Sequence, residues 1–545
     1  MTIFREMFQQ NVFMRLLERF SRRLESNFIK ADGKNAALFV DPGFEVAISR
    51  IIPSTKIREY FPKIYNYNSN RSKFDYEIIA VLTNGDTHHL LEYINLFSGT
   101  KKPPKEIIFI FVHEFNYLMR QVFEMNGFLH RIQAFELRIP AWIIDSDLAT
   151  LELKNSFSDV LINTGEYSAD AISDALNGIP MREFSPALFM IGDRACHLSK
   201  KIPSDFQSHW THIVIFDRSA DKLTPFLTPF TYEAVVAEHY SIQYGITKIV
   251  SNGESVHVVF GFSDPISSTI RNMSMPEAAQ CINSLSQTIK AEFEKAKEVD
   301  TIHNMNQKIK DLADNVVLAN QSYVDHLNLI HNIGDTVTKD PSFRDQINAE
   351  LQCLIDSSTT KEIFYPLIAL AKDWKQVVRL LAIYCQTSKN CEDINDIRQA
   401  IIDKFGLPAL AALWTLDEAE VIKPGTKNTW TSLRDRLKLY SDETIGVSAP
   451  YSGYIPPLVR IIQKLCKNEW NDVSIALTDL KIPYTVAGNR PKEMKRILVV
   501  CEGGIMFGEM AGIRQIINSY RIEVDVLTTE ILSASKILEQ CSEMK

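Results

Sequence analysis

Acidic and histidine residues are the parts of this sequence that could carry out proton-transfer or metal chemistry. His113-Glu114 begins the string of a zinc-protease helix, but Tyr117 stands where the second histidine ligand would be needed. Asp145 and Asp147 follow a predicted strand, where α/β enzymes often place carboxylates. No nucleophile, base or metal ligand accompanies them, so we interpret both as loop and cap residues.

The remaining histidines and cysteines also lack the spacing of a metal or redox site. His88 and His89 are neighbours, which point to opposite faces of a strand, and we interpret them as loop-edge residues. His326 and His331 miss the helical i, i+4 spacing and are interpreted as surface or satisfied core residues. The eight cysteines form no C-x-x-C pair, and neither glycine-rich nucleotide motif occurs. We therefore expect no catalytic residue, no cofactor and no metal.

Composition excludes several broad classes of protein. The 545 residues carry a net charge of −8, so no overall positive field favours nucleic acid as the main partner. Apolar runs such as residues 107–112 are far shorter than the roughly 20 residues that cross a bilayer, which argues against an integral membrane protein. Residues 1–26 predict an amphipathic helix packed on a core, with a membrane-surface or mitochondrial role as the alternative.

Short apolar segments separated by turn residues fill the first 265 residues and predict alternating strands and helices. Such nearly unbroken apolar runs are typical of parallel strands that are covered on both faces. The pattern therefore predicts an α/β architecture. The predicted strands are residues 36–40, 77–82, 106–112, 141–144, 187–191, 212–216 and 257–262.

The pattern becomes helical from residue 277 to 333, where neither Gly nor Pro occurs and apolar residues recur every three or four positions. A single helix of this length would extend about 85 Å, so we favour a hairpin that breaks around residues 300–306. Helical patterning continues to about residue 475, and a buried-strand pattern returns at 496–501. We expect this strand to join the earlier sheet, with the helical block inserted between two halves of one α/β domain.

The most specific segment follows the predicted strand 212–216. Its fixed positions are Asp217, Arg218, Asp221, Thr224 and Pro225. This arrangement resembles the signature of the SM (Sec/Munc) family of SNARE-assembly chaperones, although Phe226 replaces the usual Leu. Residues 141–152 and 263–271 are similar to other family segments, and the resemblance runs from about residue 35 to the end. We assign the signature, together with Gly503 and Gly504 at a tight strand-to-helix turn, a structural role.

The resemblance implies the arch-shaped, three-domain SM fold, which is α/β plus α. Two parallel-sheet α/β domains are joined by a large, mostly helical insertion, in agreement with the pattern of the residues. The expected domains are residues 1–132 for domain 1, 133–240 with 480–545 for the split domain 2, and 241–479 for domain 3, of which 241–365 is the SNARE-facing part and 366–479 the second part.

The resemblance also implies a function. SM proteins are not enzymes; they bind syntaxin-type SNARE helices and align them before membrane fusion. An amphipathic hairpin suits helix-on-helix recognition, and we expect Ile302, Met305 and Ile309 to bind SNAREs. The alternative is a hairpin that packs only on its own domain.

Residues 378–460 and the C-terminal tail are similar to the class C vacuolar protein sorting branch, and the tail is most similar to the B-type paralogue. The branch implies a partner related to Vps sixteen, or a VIPAR or SPE-type partner for the B-type, and other subunits of a class C tethering complex. We expect Tyr451, Tyr454, Ile455 and Arg460 to bind this partner if the aromatic turn is exposed. A buried tyrosine corner is the alternative.

By analogy with the branch, the protein is expected in the cytoplasm, recruited peripherally to late endosomal, lysosomal or related membranes through its partners. Three alternatives stay open. The first is an SM protein of another branch, which binds an endosomal or plasma-membrane syntaxin. The second is a tethering-complex scaffold without SNARE selectivity. The third is an α/β enzyme with unrecognised chemistry, which would have a deep polar pocket.

Overall fold

The structure is a computed structural model. It describes residues 11–28, 35–42, 44–67, 75–99, 103–112, 114–179, 183–203, 206–251, 253–297, 321–337, 340, 342–356, 361–388, 394–423, 430–488 and 495–543. The chain forms two compact units, residues 1–146 and residues 147–545.

The strands are β1 Ala36–Val40, β2 Ile64–Tyr65, β3 Ile78–Thr83, β4 Glu106–Val112, β5 Ile132–Leu137, β6 Trp142–Asp145, β7 Leu148–Thr150, β8 Ala187–Ile191, β9 His212–Asp217, β10 Ile246–Ser251, β11 Glu254–Val259, β12 Tyr484–Ala487, β13 Arg496–Glu502, β14 Ile505–Met506, β15 Glu523–Thr528 and β16 Ile531–Leu532.

The helices are α1 Val12–Phe28, α2 Phe44–Ser49, α3 Ser54–Tyr60, α4 Thr87–Ser98, α5 Tyr117–Met125, α6 Ser156–Leu161, α7 Glu166–Gly178, α8 Asp193–Leu198, α9 Tyr232–His239, α10 Ser267–Ile270, α11 Met275–Lys297, α12 321–337, α13 Ser342–Ile355, α14 Phe364–Leu370, α15 Trp374–Thr387, α16 Asn395–Phe405, α17 Leu407–Glu418, α18 Trp430–Leu437, α19 Pro457–Cys466, α20 Trp470–Asp479, α21 Phe507–Tyr520 and α22 Ala534–Glu543.

The first unit is built on a five-stranded parallel sheet in the order β2-β1-β3-β4-β5. Every residue of β1 and β3 is buried, which explains their unbroken apolar sequences. The predicted amphipathic N-terminal helix is confirmed as α1. Its apolar face, which includes Phe13, Leu17 and Phe20, is buried.

The second unit contains a sheet whose strands from β7 onward run in the order β12-β8-β9-β13-β15-β7. The strand β13 pairs in parallel with both β9 and β15, while β12 pairs antiparallel with β8 at one end. The predicted addition of the C-terminal strands to the earlier sheet is therefore confirmed. The helices α11 to α20 lie between the two groups of strands in the chain and form the inserted block.

Two details of the predicted architecture are wrong. The boundary expected at residue 132 is displaced, because β5 begins there and pairs with β4 in the first sheet. The strand predicted at 257–262 lies in an antiparallel hairpin of β10 and β11 and not in a parallel sheet. Only two residues separate these strands, the second of them Gly253 with φ +80°, and parallel strands need a much longer crossover. The other domain boundaries stay predictions.

The segment that contains His88 and His89 also differs from its interpretation. Both residues lie in the first turn of α4 and not at the edge of a loop. Asp86 begins this helix, since its Oδ1 accepts hydrogen bonds from the backbone N–H groups of His88 at 2.9 Å and of His89 at 3.2 Å. The side chains of neighbouring residues on a helix point about 100° apart, whereas those on a strand point to opposite faces.

Candidate functional site

Arg218, the centre of the family signature, lies completely inside the protein. It follows β9, and its guanidinium Nε donates to the carbonyl oxygen of Gly504 at 2.9 Å. Its Nη2 donates to Glu509 in α21, and its Nη1 lies 3.5 Å from Asp221. Burial alone lowers the pKa of Arg218, but the attraction of Glu509 and Asp221 raises the pKa above its usual value. The signature therefore provides a buried ion pair that ties β9 to the C-terminal part of the chain.

The other signature residues organise the backbone around this ion pair. Asp217 accepts hydrogen bonds from the N–H groups of Ala195 at 2.8 Å and Ser219 at 2.7 Å. Asp221 accepts from the N–H groups of Leu223 at 3.1 Å and Thr224 at 3.0 Å, just before a turn of 3-10 helix that contains Pro225. All of the signature side chains are buried, so this part of the chain is a joint within the second unit and not an exposed contact surface.

The glycine pair is required by this joint. Gly503 has φ +86° and Gly504 has φ +97°, and residues other than glycine rarely adopt this region of backbone conformation. A β-carbon on Gly503 would lie 3.0 Å from Cγ of Arg218, and one on Gly504 would lie 2.5 Å from Cγ of Leu532. The pair therefore makes the tight turn and leaves room for the arginine, as its predicted role requires.

The exposure predicted for the aromatic turn of the partner site is wrong. Tyr451 and Tyr454 are 2% and 0% exposed, and Ile455 is buried beside them. The hydroxyl of Tyr454 lies 2.7 Å from Oγ1 of Thr224, so the turn packs against the signature and forms the buried tyrosine corner that was the alternative. Arg460 is partly exposed, and its guanidinium binds the carbonyl oxygen of Lys438 and the side chain of Gln463.

The predicted SNARE-binding residues Ile302, Met305 and Ile309 lie outside the described residues.

The helix α12 is fixed by His326, which is fully buried. Its Nδ1 lies 2.7 Å from the hydroxyl of Tyr232, and its Nε2 lies 3.4 Å from Asp264. His326 is therefore a core residue, one of the two positions predicted for it, with Nδ1 but not Nε2 hydrogen-bonded among the described residues.

The acidic pair that follows a strand is not a catalytic dyad. Asp147 receives two hydrogen bonds from Arg514, at 2.7 and 3.1 Å, and the same guanidinium binds Glu233 at 2.9 Å. Burial alone raises the pKa of Asp147, but the charge and hydrogen bonds of Arg514 hold it below its usual value. Asp145 accepts a hydrogen bond from the N–H of Ser146 at 2.7 Å. Both side chains stabilise their surroundings.

A cleft of about 570 Å³ lies in the second unit, where the enzyme alternative would need its pocket. Its lining combines polar and apolar side chains, and several of its charged groups contact one another. Lys375 of α15 pairs with Glu539 of α22 at 2.5 Å, and Arg379 of α15 pairs with Glu238 of α9 at 3.1 Å. These two ion pairs connect α15 to α22 and to α9, so the paired charges of the cleft hold helices together.

An exposed apolar row on α17 was not foreseen. Leu407, Leu410 and Trp414 are 78%, 43% and 62% exposed, at positions i, i+3 and i+7. The opposite face of α17, including Leu413 and Leu416, is buried. A helix that is apolar on all sides normally lies inside a protein, so the row marks a surface that a partner could cover. In the sequence, residues 407–416 are apolar on all sides of the predicted helix, and this pattern could have indicated the exposed row.

Glu502 at the end of β13 is a buried carboxyl group in an unfavourable place. It is aligned with Asp217 at the end of β9, and neither of its oxygens has a hydrogen-bond partner among the described residues. Burial, together with the charges of Asp217 and Asp159, raises the pKa of Glu502 to about 8. Glu502 therefore holds a proton at neutral pH in the folded protein.

Replacing Glu502 with glutamine is expected to stabilise the protein at alkaline pH. The pKa of Glu502 is about 8 in the folded protein, above the reference value of 4.5. The raised pKa therefore contributes its full stabilisation of the folded state below pH 4.5, and this stabilisation is lost as the pH rises through 8. Glutamine is neutral throughout, so its advantage should grow to the order of 3 kcal/mol. Melting temperatures of both proteins between about pH 5 and 9 measure it. An equal difference at every pH would contradict the assignment.

Comparison with known proteins places these features in a family. The profile of the Sec1 family matches residues 36–540. The chain therefore belongs to the Sec1 family, whose members are called SM proteins.

Three relatives indicate which members of the Sec1 family the chain is similar to. The chain is 20% identical to the vacuolar protein-sorting-associated protein 33 homolog of Arabidopsis thaliana, with 95% of each chain covered. It is 21% identical to vacuolar protein sorting-associated protein 33A of Rattus norvegicus, covering 82% of this chain and 84% of that protein. It is 20% identical to protein 33B of Mus musculus, covering 79% and 80%. The resemblance to the vacuolar sorting branch is confirmed, and the B-type assignment stays a prediction.

Solved structures agree with the fold. The SM protein Vps45 in complex with the Qa SNARE Tlg2 matches with a TM-score of 0.66 at 14% identity, over 98% of both chains. The Unc18–syntaxin 1 complex of Monosiga brevicollis matches with a TM-score of 0.63 at 14% identity, over 96% of this chain and 99% of that one. The predicted combination of parallel-sheet α/β parts with a large helical insertion is confirmed. Among the described residues, no helix is both long and apolar enough to cross a membrane.

Proposed function

We propose that this protein binds syntaxin-type SNAREs and promotes their assembly during vesicle tethering and fusion at late endosomes, lysosomes or related organelles. The single observation that carries this proposal is the Sec1 family match over residues 36–540. The names of the relatives indicate vacuolar sorting, and one similar SM protein was solved with a Qa SNARE. Catalysis has no part in the proposal. The protein acts in the cytoplasm and reaches membranes through its partners.

The second part of the proposal is a Vps-sixteen-related partner within a class C tethering complex. We place its contact on the exposed row of α17, since the tyrosines of the aromatic turn are buried. Apolar anchors at i, i+3 and i+7 fit the groove of a helical partner, and a large exposed aromatic such as Trp414 is the residue type that dominates such interfaces. For a B-type paralogue the partner is the smaller VIPAR or SPE-type protein.

Affinity purification of the tagged chain from its own cells, followed by mass spectrometry, tests the function. Recovery of a Vps-sixteen-related protein with SNAREs at lower yield supports the proposal, and the smaller partner identifies the B-type. A single endosomal or plasma-membrane syntaxin without a Vps subunit would move the chain to another SM branch. Recovery of a Vps-related partner without any SNARE would indicate a scaffold. Recovery of neither a Vps-related partner nor a SNARE would reopen the enzyme alternative.

Two single substitutions are expected to separate the two binding activities. Ile302→Asp places a charge in the predicted hairpin and should reduce SNARE binding at least tenfold while partner binding survives. Trp414→Asp should reduce partner binding at least tenfold while SNARE binding survives, because the exposed ring is not part of the core. Quantitative pull-downs with purified SNARE and partner measure both, and each variant controls for the other.

Ile475→Asp is a further control, since Ile475 is 57% exposed on α20 and belongs to neither predicted surface. Loss of both activities in either variant, together with a lower melting temperature, would indicate misfolding and would contradict the placement of that surface.

A further inference from the structure

The first turn of α4 carries a cluster of metal-ligating side chains that the proposed function does not use. Asp86, His88 and His89 each offer one ligand atom, and these atoms lie within 4.8 Å of one another. The cluster is on the surface, so a metal ion could enter without any movement of the core. All three residues belong to the first unit.

The residue types select for a particular kind of ion. Two imidazole nitrogens and one carboxylate oxygen suit Zn²⁺, whereas Ca²⁺ and Mg²⁺ prefer oxygen ligands alone. Zinc–ligand bonds are about 2.0–2.2 Å long, so atoms 4.8 Å apart or closer need only small side-chain rotations to meet one ion. Three protein ligands leave the fourth tetrahedral position to water or to an outside ligand.

A buried carboxylate behind the cluster provides a second, independent observation. Asp41 is 1% exposed, and its Oδ2 lies 3.4 Å from Nδ1 of His89. The same oxygen accepts hydrogen bonds from Thr83 Oγ1 at 2.8 Å and from the N–H of Asn84 at 2.9 Å. The other oxygen, Oδ1, has no hydrogen-bond partner among the described residues, and neither has Nδ1 of His89.

This arrangement is the one that orients metal-binding histidines. A carboxylate next to one ring nitrogen holds the proton there and leaves the other nitrogen free for the metal. Because Nδ1 of His89 lies 3.4 Å from Asp41, Nε2 is the ring nitrogen left for the ion. Asp41 is itself held by the Thr83-Asn84 turn, so the position of this carboxylate is fixed before any ion arrives.

We propose that Asp86, His88 and His89 form a zinc-binding site, with Asp41 as the residue that positions His89. The ion links the capping residue of α4 to the first turn of the same helix and to the buried Asp41. The site gives the first unit a zinc-dependent increase in stability.

Isothermal titration of the EDTA-treated full chain with zinc chloride tests the site. The wild-type protein is expected to bind one equivalent, and His88→Ala should lower the affinity by at least tenfold. His130→Ala is the matched control, because His130 is an exposed histidine of the same unit that lies outside the cluster, and this variant should bind zinc like the wild type.

Two further variants distinguish a metal site from a structural role. Asp86→Asn keeps an oxygen that can cap α4, so it should weaken zinc binding and leave the melting temperature in EDTA unchanged. Asp41→Asn should weaken zinc binding by about 10- to 100-fold through the orientation of His89. The proposal is overturned if the wild type does not bind zinc, or if all variants bind it equally, since the ion would then sit elsewhere on the chain.

Discussion

Replacing Glu509 with alanine is expected to lower the free energy of unfolding by about 3–5 kcal/mol. The substitution removes the counter-charge of Arg218, which is fully buried and keeps only the carbonyl of Gly504 and the more distant Asp221. It also removes the acceptor for the N–H of Met506 at the start of α21. Urea unfolding followed by intrinsic fluorescence measures the loss.

Matched variants separate the charge from the cap. Glu509→Gln keeps an acceptor for Met506 but loses the charge, so it should be intermediate in stability. The double variant Arg218→Met with Glu509→Leu should recover much of the stability, since a buried ion pair can be replaced by apolar side chains of similar size. If Glu509→Ala unfolds at the urea concentration of the wild type, the buried pair does not hold β9 to α21.

Tyr454→Asp is expected to destabilise the second unit by about 4 kcal/mol or more, and not simply to weaken partner binding. The ring is completely buried against Thr224 and Trp430, so aspartate would leave both a cavity and an unpaired carboxyl group. Tyr454→Phe keeps the ring and should cost about 1 kcal/mol, because only the hydrogen bond to Thr224 is lost. Thermal unfolding of both variants measures the effects.

Tyr365→Asp is the matched control, since Tyr365 is a half-exposed tyrosine of the same unit and its replacement should change the melting temperature little. A Tyr454→Asp protein that melts like the wild type and loses only its partner would restore the surface interpretation of the aromatic turn.

The parts of the fold that could be predicted depend on local patterns. Parallel strands such as β4 and β13 are buried on both faces, and this burial leaves an unbroken apolar run in the sequence. The signature was identified by its resemblance to the SM family, and the structure explains its spacing, because Asp217 and Asp221 bind backbone groups within a few residues.

The parts that could not be predicted depend on distant contacts. A turn rich in tyrosine, glycine and proline suits either a surface anchor or a buried corner, and the choice was made by Thr224, 230 residues away from Tyr454. The exposure of Trp414 likewise depends on which face of α17 the rest of the chain covers. For His88 and His89, the decisive residue was Asp86, whose capping role turned an apparent loop edge into the start of a helix.

The order of strands in the second sheet has a consequence for biosynthesis. β13 and β15 lie in the middle of the sheet, yet Arg496 of β13 bonds to Thr211, which leaves the ribosome 285 residues earlier. Until β13 and β15 emerge, the apolar strands β9 and β7 each have one edge unpaired. Such delayed, long-range pairing is slow, and the unpaired strands are prone to aggregation. We therefore expect the nascent chain to need protection from aggregation until β15 has emerged, and a premature stop codon before residue 523 to remove at least this interior strand of the sheet.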